Sequence, residues 1–507
     1  MTKVAASFVG CKVSQADGED ALAGLAAAGL EPVTLREAAD VVVVHTCCVT
    51  AEAERKSRRL VRRAASAGKR VVVAGCAAAL HPEQFEGEDV TVAARPDWTT
   101  LAQQLKRHSP GGLEEGTAGS VAASGAVGGA TADAMDGTTG GITNGTTGDI
   151  TNGTTGGISD VPADGAARDI TPDATSDDVH GSNAYWTPDP ARHASGLGGA
   201  IAAAGRPAAV APGKAPRATP GARTRLVLKV QDGCAGACAY CVVRLVRGEP
   251  RGLPLEEALA AARAGLARGC GEVVLSGIDL GAWRDGGLRL PELVAAVAEL
   301  DGLRRVRLSS VEPRHVTPAL LDLLAHPGVA RHLHVPLQSA DDGVLRAMKR
   351  PYTFARYLGA VEGLRAAPGG AMLSTDVIVG YPTEDEAAFA RTLEALESGL
   401  FGRAHVFAYS ARPGTAAAEL PQLPAAVVKE RMGRALAAAE AAALATRHAA
   451  IGRVAEVLVE ERRDGLWRGY SSEYVRYSLR GDARRGELVR AVADGLAGDG
   501  VTGRIEE

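Results

Sequence analysis

The sequence predicts an α/β protein: an N-terminal parallel α/β domain, a partial (β/α)6 TIM-like barrel, and a small C-terminal β-barrel. Three observations lead there. Continuous apolar runs such as VVVVHT (41–46) and RVVVAG (70–75) alternate with helical stretches, as in parallel strands buried on both faces. After residue 223 the alternation resumes and lasts for six strands. Beyond residue 447 the pattern shifts to short strands separated by glycine turns.

Taken in order, VAASFVG (4–10) is an expected strand, and 16–29 a helix ended by Gly29. The strand at 41–46 leads to a helix over 50–66 with Thr50 as its N-cap, then to the strand at 70–75. In the second half the expected strands are 226–230, 272–277, 305–310, 332–337, 373–380 and 404–409. Helices are expected near 255–268, 290–300, 316–325, 341–366 and 384–398. A long Ala-rich helix over 425–449 precedes strand-like RVAEVLVEE, WRGYSSEYVRYSL and ELVRAVA. The implied domains are 1–108, 223–446 and 447–507, with an insert over 109–222.

The insert holds 23 of the chain's 62 glycines, few large apolar residues, and two copies of ITNGTTG at 142–148 and 150–156. Such a Gly/Asp/Thr-rich segment cannot bury enough surface to offset the entropy of ordering it, so disorder is expected. It carries twelve carboxylates against five basic residues, so the net charge of −4 leaves +3 for the rest of the chain. The composition, 46% hydrophobic and 23% charged, excludes a wholly disordered or collagenous protein. No apolar run reaches membrane-spanning length, and MTKVAASFVGCKVSQ lacks the h-region of a secretory signal. A cytoplasmic protein without a membrane partner is expected, and in that compartment eight cysteines point to metal or redox chemistry.

Cys234, Cys238 and Cys241 form C-x3-C-x2-C in QDGCAGACAYC, just after the first barrel strand, where barrel sites are built. Three thiolates on one loop can hold three irons of a [4Fe–4S] cube and leave the fourth open to a ligand. A Cys3His zinc site would need a histidine that the neighbouring sequence lacks. Cys11, Cys47 and Cys76 each follow a strand of the N-terminal domain, so a parallel sheet would bring them to one edge. Cys48 is expected to point away and pack, and Cys270 to be structural.

These motifs, with GCKVSQ, HTCCVT, LSSVEP, PLQSADDGVLRAMKRPY and DVIVGYPTE, resemble the methylthiotransferases of the radical S-adenosylmethionine (SAM) enzymes. GCKV followed by Gln is most similar to the branch acting on N6-threonylcarbamoyladenosine of tRNA (the MtaB type). Ser14 and His45 stand where that branch usually has asparagine. The resemblance implies two [4Fe–4S] clusters, one on Cys234, Cys238 and Cys241 and one on Cys11, Cys47 and Cys76, with SAM at the first. It implies transfer of a methylthio group to C2 of the adenine next to the anticodon, with an electron-donor protein as partner and a monomeric enzyme. By similarity Ser276, Gly277, Ser310, Glu312, Gln338 and Asp376 line the SAM site.

For RNA, the helix AERKSRRLVRRA (53–64) offers Arg55, Lys56, Arg58, Arg59, Arg62 and Arg63 as phosphate contacts. The C-terminal module resembles a TRAM domain, with Trp467, Tyr470, Tyr474 and Tyr477 interleaved with Arg468, Arg476 and Arg480. Alternatives are a sister-branch enzyme acting on isopentenyladenosine or a ribosomal protein, and a non-catalytic zinc- and RNA-binding protein.

Overall fold

A computed structural model describes residues 1–35, 37–107, 224–366 and 370–506. The expected disorder over 109–222, with its ITNGTTG repeat, lies outside the described residues.

Strands β1 (Lys3–Phe8), β2 (Glu31–Pro32), β3 (Val41–Thr46), β4 (Arg70–Gly75) and β5 (Val90–Val92) form one parallel sheet, ordered β2-β1-β3-β4-β5. The central strand VVVVHT is buried at all six positions because both faces are covered. Val41 and Val43 pack with Leu25, Leu101 and Leu105 from helices Lys12–Ala27 and Trp98–Arg107. Val42 and Val44 face the other way, onto Val61 and Ala77 from helices Ala51–Ser66 and Cys76–Leu80. The side-chain alternation of a strand thus feeds two separate cores. Thr50 caps its helix, its hydroxyl accepting from the Ala53 amide at 3.1 Å. Edge strands β2 and β5 are two and three residues long, too short to give a hydrophobic period. The first helix starts four residues before the expected 16, directly after Cys11.

The middle of the chain gives β6 (Arg225–Asp232), β7 (Arg251–Gly252), β8 (Glu272–Gly277), β9 (Arg305–Leu308), β10 (His332–His334), β11 (Met372–Val379) and β12 (Arg403–Ala408). Parallel pairings join β6-β8-β9 and β10-β11-β12, and single bridges Val306–Val329 and Ser310–His334 connect the two sets into an open half-barrel. Two-residue β7 runs antiparallel along β6. Leu228, Val230, Val273, Leu275, Val377 and Val379 turn outward to the helices, with Trp283, Tyr357, Phe389 and Phe401 supplying bulk. The helix expected over 341–366 is two helices, Asp342–Ala347 and Phe354–Ala366. Pro351 lacks the amide to continue a helix, and Lys349 turns the chain at φ +56°.

Helix Ala425–Ala450 leads to β13 (Val454–Arg463), β14 (Leu466–Ser471), β15 (Arg476–Arg480), β16 (Leu488–Ala497) and β17 (Gly500–Ile505), a closed barrel ordered β13-β14-β15-β17-β16. WRGYSSEYVRYSL, expected as one strand, is the β14–β15 hairpin, and its turn sits on the N-terminal end of the half-barrel. Arg307 donates to the Ser471 and Ser472 carbonyls at 3.0 and 3.1 Å, and Arg305 to that of Tyr470 at 3.0 Å. Both guanidiniums also hold fully buried Glu272 at 2.6 and 3.1 Å. Tyr474 enters the left-handed region at φ +66° and lies 4.6 Å from the Arg307 guanidinium.

Burial by itself would raise the Glu272 carboxyl, but Arg307 and Arg305 overcome it and hold it at about 2. A carboxyl depressed in the folded state contributes stability above its unfolded value and loses it as pH falls toward the folded one. Glu272→Gln should cost about 3–5 kcal/mol in urea unfolding at neutral pH, because it strands two buried guanidiniums. It should also flatten the loss of stability between roughly pH 4.5 and 2; wild-type-like unfolding curves at both pH values would contradict this account of the hairpin's anchorage.

Candidate active site

The Cys234 loop leaves β6 through Gly233, whose φ of +77° and closeness to Glu249 exclude a side chain: a Cβ would lie 2.1 Å from the Glu249 carbonyl oxygen. Downstream the loop is pinned by Ala239, which donates to the Met348 carbonyl at 3.0 Å and accepts from the Ala417 amide at 2.9 Å. Each sulfur receives a donor. The Gly236 amide reaches Cys234 Sγ at 3.2 Å, Arg350 reaches Cys238 Sγ at 3.3 Å, and the Val243 amide reaches Cys241 Sγ at 3.4 Å. Donors of this kind stabilise thiolate over thiol and set the electronics of a bound cluster.

Cys11, Cys47 and Cys76 follow β1, β3 and β4, three adjacent strands of one sheet. Gly10 and Gly75 let the strand ends approach. At Gly10 (φ +121°) a Cβ would lie 2.6 Å from Cys47 Cβ; at Gly75 (φ +94°) it would lie 2.6 Å from the Thr46 carbonyl oxygen. Cys11 stays exposed while Cys47 and Cys76 are buried. Burial pushes the Cys47 thiol up to about 12, whereas Cys76 is drawn down, first by a hydrogen bond from Cys48 and then by Arg247. Cys48, expected to point away, therefore packs against Cys76 as its donor.

Arg247 joins the two sets. It ends the short helix Val243–Arg247 that follows Cys241, and it is 5% exposed. Its Nε donates to Cys76 Sγ at 3.2 Å, Nη1 to Asp232 at 3.2 Å, and Nη2 to Asp17 at 2.8 Å. One side chain thus ties the loop bearing Cys241 to the sheet bearing Cys76.

The donor sets discriminate between metal groups. A single tetrahedral zinc draws its sulfurs to within about 4 Å of one another. Among the described residues neither cysteine triad has all its sulfurs within 4.8 Å. That wider spacing, with three thiols and several N–H donors, fits a cube in which each thiolate meets its own iron.

The residues expected around SAM divide into two groups. Ser276 and Gly277 end β8; the Ser276 hydroxyl is buried and has no partner, and Gly277 leaves room for Gln231, 2.9 Å from where its Cβ would be. Glu312 pairs with Arg350, the same guanidinium that reaches Cys238, so it lies beside the loop triad. Ser310, Gln338 and Asp376 belong to the inner wall: Ser310 bridges to His334, and Gln338 pairs through its backbone with β11 at φ +67°. Asp376 pairs with His334 at 3.2 Å. Ser14 lies 3.8 Å from Cys11 Sγ, and His45 is buried against Trp98. Arg247, Arg350 and Asp17 were not singled out by the sequence, since no spacing marks an arginine that will be buried against a sulfur.

Residues 228–396 match the Radical SAM superfamily, and residues 3–94 match Uncharacterized protein family UPF0004. A tRNA-2-methylthio-N(6)-dimethylallyladenosine synthase of Cereibacter sphaeroides is 40% identical over 235 residues, covering 46% of this chain and 54% of the relative. The Threonylcarbamoyladenosine tRNA methylthiotransferase MtaB of Thermotoga maritima is 35% identical over 284 residues, covering 55% of this chain and 65% of the relative. The chain thus combines a Radical SAM region with a UPF0004 region and is similar to curated tRNA methylthiotransferases. It spans between half and two thirds of the length of these curated relatives. A solved radical S-adenosylmethionine methyltransferase, TsrM from Kitasatospora setae, superposes with a TM-score of 0.45 at 14% identity, over 82% of this chain and 77% of that chain. The Radical SAM match implies SAM and [4Fe–4S] clusters as cofactors, and the donor sets of the two cysteine triads fit such clusters.

The strand-end glycines supply a test independent of any cofactor. Gly10 and Gly68 both have positive φ, but a Cβ at Gly68 meets nothing within 4 Å. Gly68→Ala should cost about 1 kcal/mol in urea unfolding, and Gly10→Ala about 3 kcal/mol, because it adds a collision with Cys47 to the backbone strain. Equal losses would mean that β1 and β3 do not converge as described.

Proposed function

We propose that this protein adds a methylthio group to C2 of N6-threonylcarbamoyladenosine beside the anticodon of cytoplasmic tRNA. The observation that carries this reading is the pair of cysteine triads joined through Arg247. In it, 1–108 holds one cluster on Cys11, Cys47 and Cys76; 223–446 holds the other on Cys234, Cys238 and Cys241 beside SAM; and 447–507 is an RNA-facing module. When bound, the clusters and SAM supply one-electron cleavage, hydrogen abstraction and the sulfur, with the electron drawn from a donor protein.

The chain's own residues position and enclose. Arg350 donates to Cys238 and holds Glu312, so any movement of the loop is resisted by a buried ion pair. Ser276 Oγ, buried near the loop's strand with no hydrogen-bond partner among the described residues, is free to meet a polar ligand such as SAM. Asp17 and Asp232 neutralise Arg247 from both sides, which keeps its guanidinium beside Cys76 rather than in solvent.

RNA contact is best supported on helix Ala51–Ser66. Glu54, Ser57 and Val61 face inward, leaving Arg55, Lys56, Arg59, Arg62 and Arg63 exposed on the helix that follows Cys47. The C-terminal aromatics are otherwise engaged. Tyr477 is core, Tyr470 and Tyr474 stack 5.0 Å apart at the half-barrel, and Trp467 packs under Arg462. Arg468, Arg476 and Arg480 pair with Asp464, Asp499 and Asp494.

The substrate's N6 group is addressed by the inner wall. Ser374, His334, Asp376 and His405 present polar atoms there. A threonylcarbamoyl group has polar atoms that can meet them, which an apolar dimethylallyl chain lacks. The 40% identity to the Cereibacter synthase supports the second reading, a dimethylallyl substrate. Mass spectrometry of nucleosides from treated tRNA separates the two by product mass.

Cys238→Ala should abolish formation of 5′-deoxyadenosine by anaerobically reconstituted protein. Cys47→Ala should retain part of it while forming no methylthiolated nucleoside, as read by chromatography and mass spectrometry. Methylthiolated product from Cys47→Ala would overturn the division of labour between the triads.

A further inference from the structure

Lys12 follows Cys11 directly and begins helix Lys12–Ala27. Its ammonium does not turn out to water. It lies 5.6 Å from the centroid of the Tyr474 ring, at the end of the half-barrel that the β14–β15 turn closes. Among the described residues no carboxylate pairs with it. Arg307 lies over the same ring, 4.6 Å from its centroid, and Arg225 over the neighbouring Tyr470 ring at 4.9 Å. Arg225 is paired with Glu460, and Arg305 and Arg307 share Glu272. Four cations therefore face two carboxylates, and Lys12 is the one left without a counter-ion.

The opposite wall cannot supply one. Asp376, the carboxylate on the inner face of β11, is engaged by His334 at 3.2 Å, and His405 lies beside that pair with its ring 5.8 Å from that of His334. Asp376 itself keeps 28% of its side chain exposed although it sits mid-strand. A half-buried ammonium with surplus positive charge around it is a site for an anion.

The chemistry of adenine says which anion. C2 and the N6 nitrogen lie on the same edge of the ring, separated by N1 and C6. If C2 is offered to the centre held by Cys11, Cys47 and Cys76, the N6 substituent projects beside that centre, within reach of the residue adjoining Cys11. We infer that Lys12 binds the carboxylate of the N6 substituent and so selects an anionic, amino-acid-bearing adenosine over a neutral, apolar one. This rests on the substrate reading above. It adds the residue that enforces it. Specificity from such a contact is large, because the neutral competitor leaves a half-buried ammonium unpaired.

The test uses full-length, cluster-loaded protein and three synthetic anticodon stem-loops, whose target adenosine carries threonylcarbamoyl, its carboxamide analogue, or dimethylallyl. Kd is measured anaerobically by fluorescence anisotropy, with iron and sulfide content determined for each variant. Wild type should bind the carboxylate RNA about 10- to 100-fold more tightly than the carboxamide. Lys12→Met should bind both at the wild-type carboxamide level with iron content unchanged, and Lys12→Arg should restore much of the preference. A carboxylate preference that survives in Lys12→Met, or no preference in wild type, overturns the assignment of Lys12. Loss of iron in Lys12→Met makes the residue structural and overturns it equally. A wild-type preference for the dimethylallyl RNA over the threonylcarbamoyl RNA instead overturns the substrate reading itself.

Discussion

The guanidinium of Arg247, divided between a cysteine sulfur and two carboxylates, is the contact on which the rest of the architecture depends. Cys76 belongs to one sheet and Cys241 to the loop of another, and no strand pairing joins them. Asp232 ends β6 and Asp17 lies on the helix after Cys11, so Arg247 touches the root of each triad. Its cost is severe, since a nearly buried guanidinium is tolerated only when every face is met. Here all three nitrogens are met. The geometry therefore couples the two cysteine sets: without Cys76 the arginine would keep its two carboxylates but lose its direct contact with the strand end that carries that sulfur.

The other end of the half-barrel follows the same logic. Strands β8 and β9 bring Glu272, Arg305 and Arg307 to one buried point, and the backbone carbonyls of residues 470–472 complete the hydrogen bonding of the arginines. A closed five-stranded barrel is thereby attached through a turn rather than through an apolar face. The strain of Tyr474 in the left-handed region is offset where its ring covers Arg307. Burying those aromatics at a protein contact removes them from the surface, which is why the charge on helix Ala51–Ser66, and not the C-terminal barrel, is the stronger candidate for meeting phosphate.

What the sequence made legible follows from how local each signal is. VVVVHT and RVVVAG name their strands to the residue, because a strand covered on both faces is apolar throughout. The cysteine triads were legible as well: one by spacing, the other because parallel strands end on a common edge. Illegible features depend on long-range pairing. β2 contains a proline and only two residues, and β17 pairs with β15 and β16 without a distinctive pattern. Pro351 stood in plain view inside an expected helix, and the break there is its ordinary consequence. Arg247 and Arg350 could not be found, since the sequence of a buried arginine is that of an exposed one until its partners are known.

The modest net charge of the chain conceals how its cations are used. One group is neutralised in the interior: Arg247, Arg305, Arg307, Arg350 and Arg431 each face a carboxylate and serve to fix strands, loops and helices in place. A second group lies exposed along one helix, where a polyanion can exchange counter-ions with it at little desolvation cost. Lys12 belongs to neither group. It is half-buried beside the Tyr474 ring, next in sequence to Cys11, and among the described residues no carboxylate pairs with it. A bound anion would supply the missing half of the pair, which is why this cation, rather than the neutralised or the exposed group, is the one proposed to select the substrate.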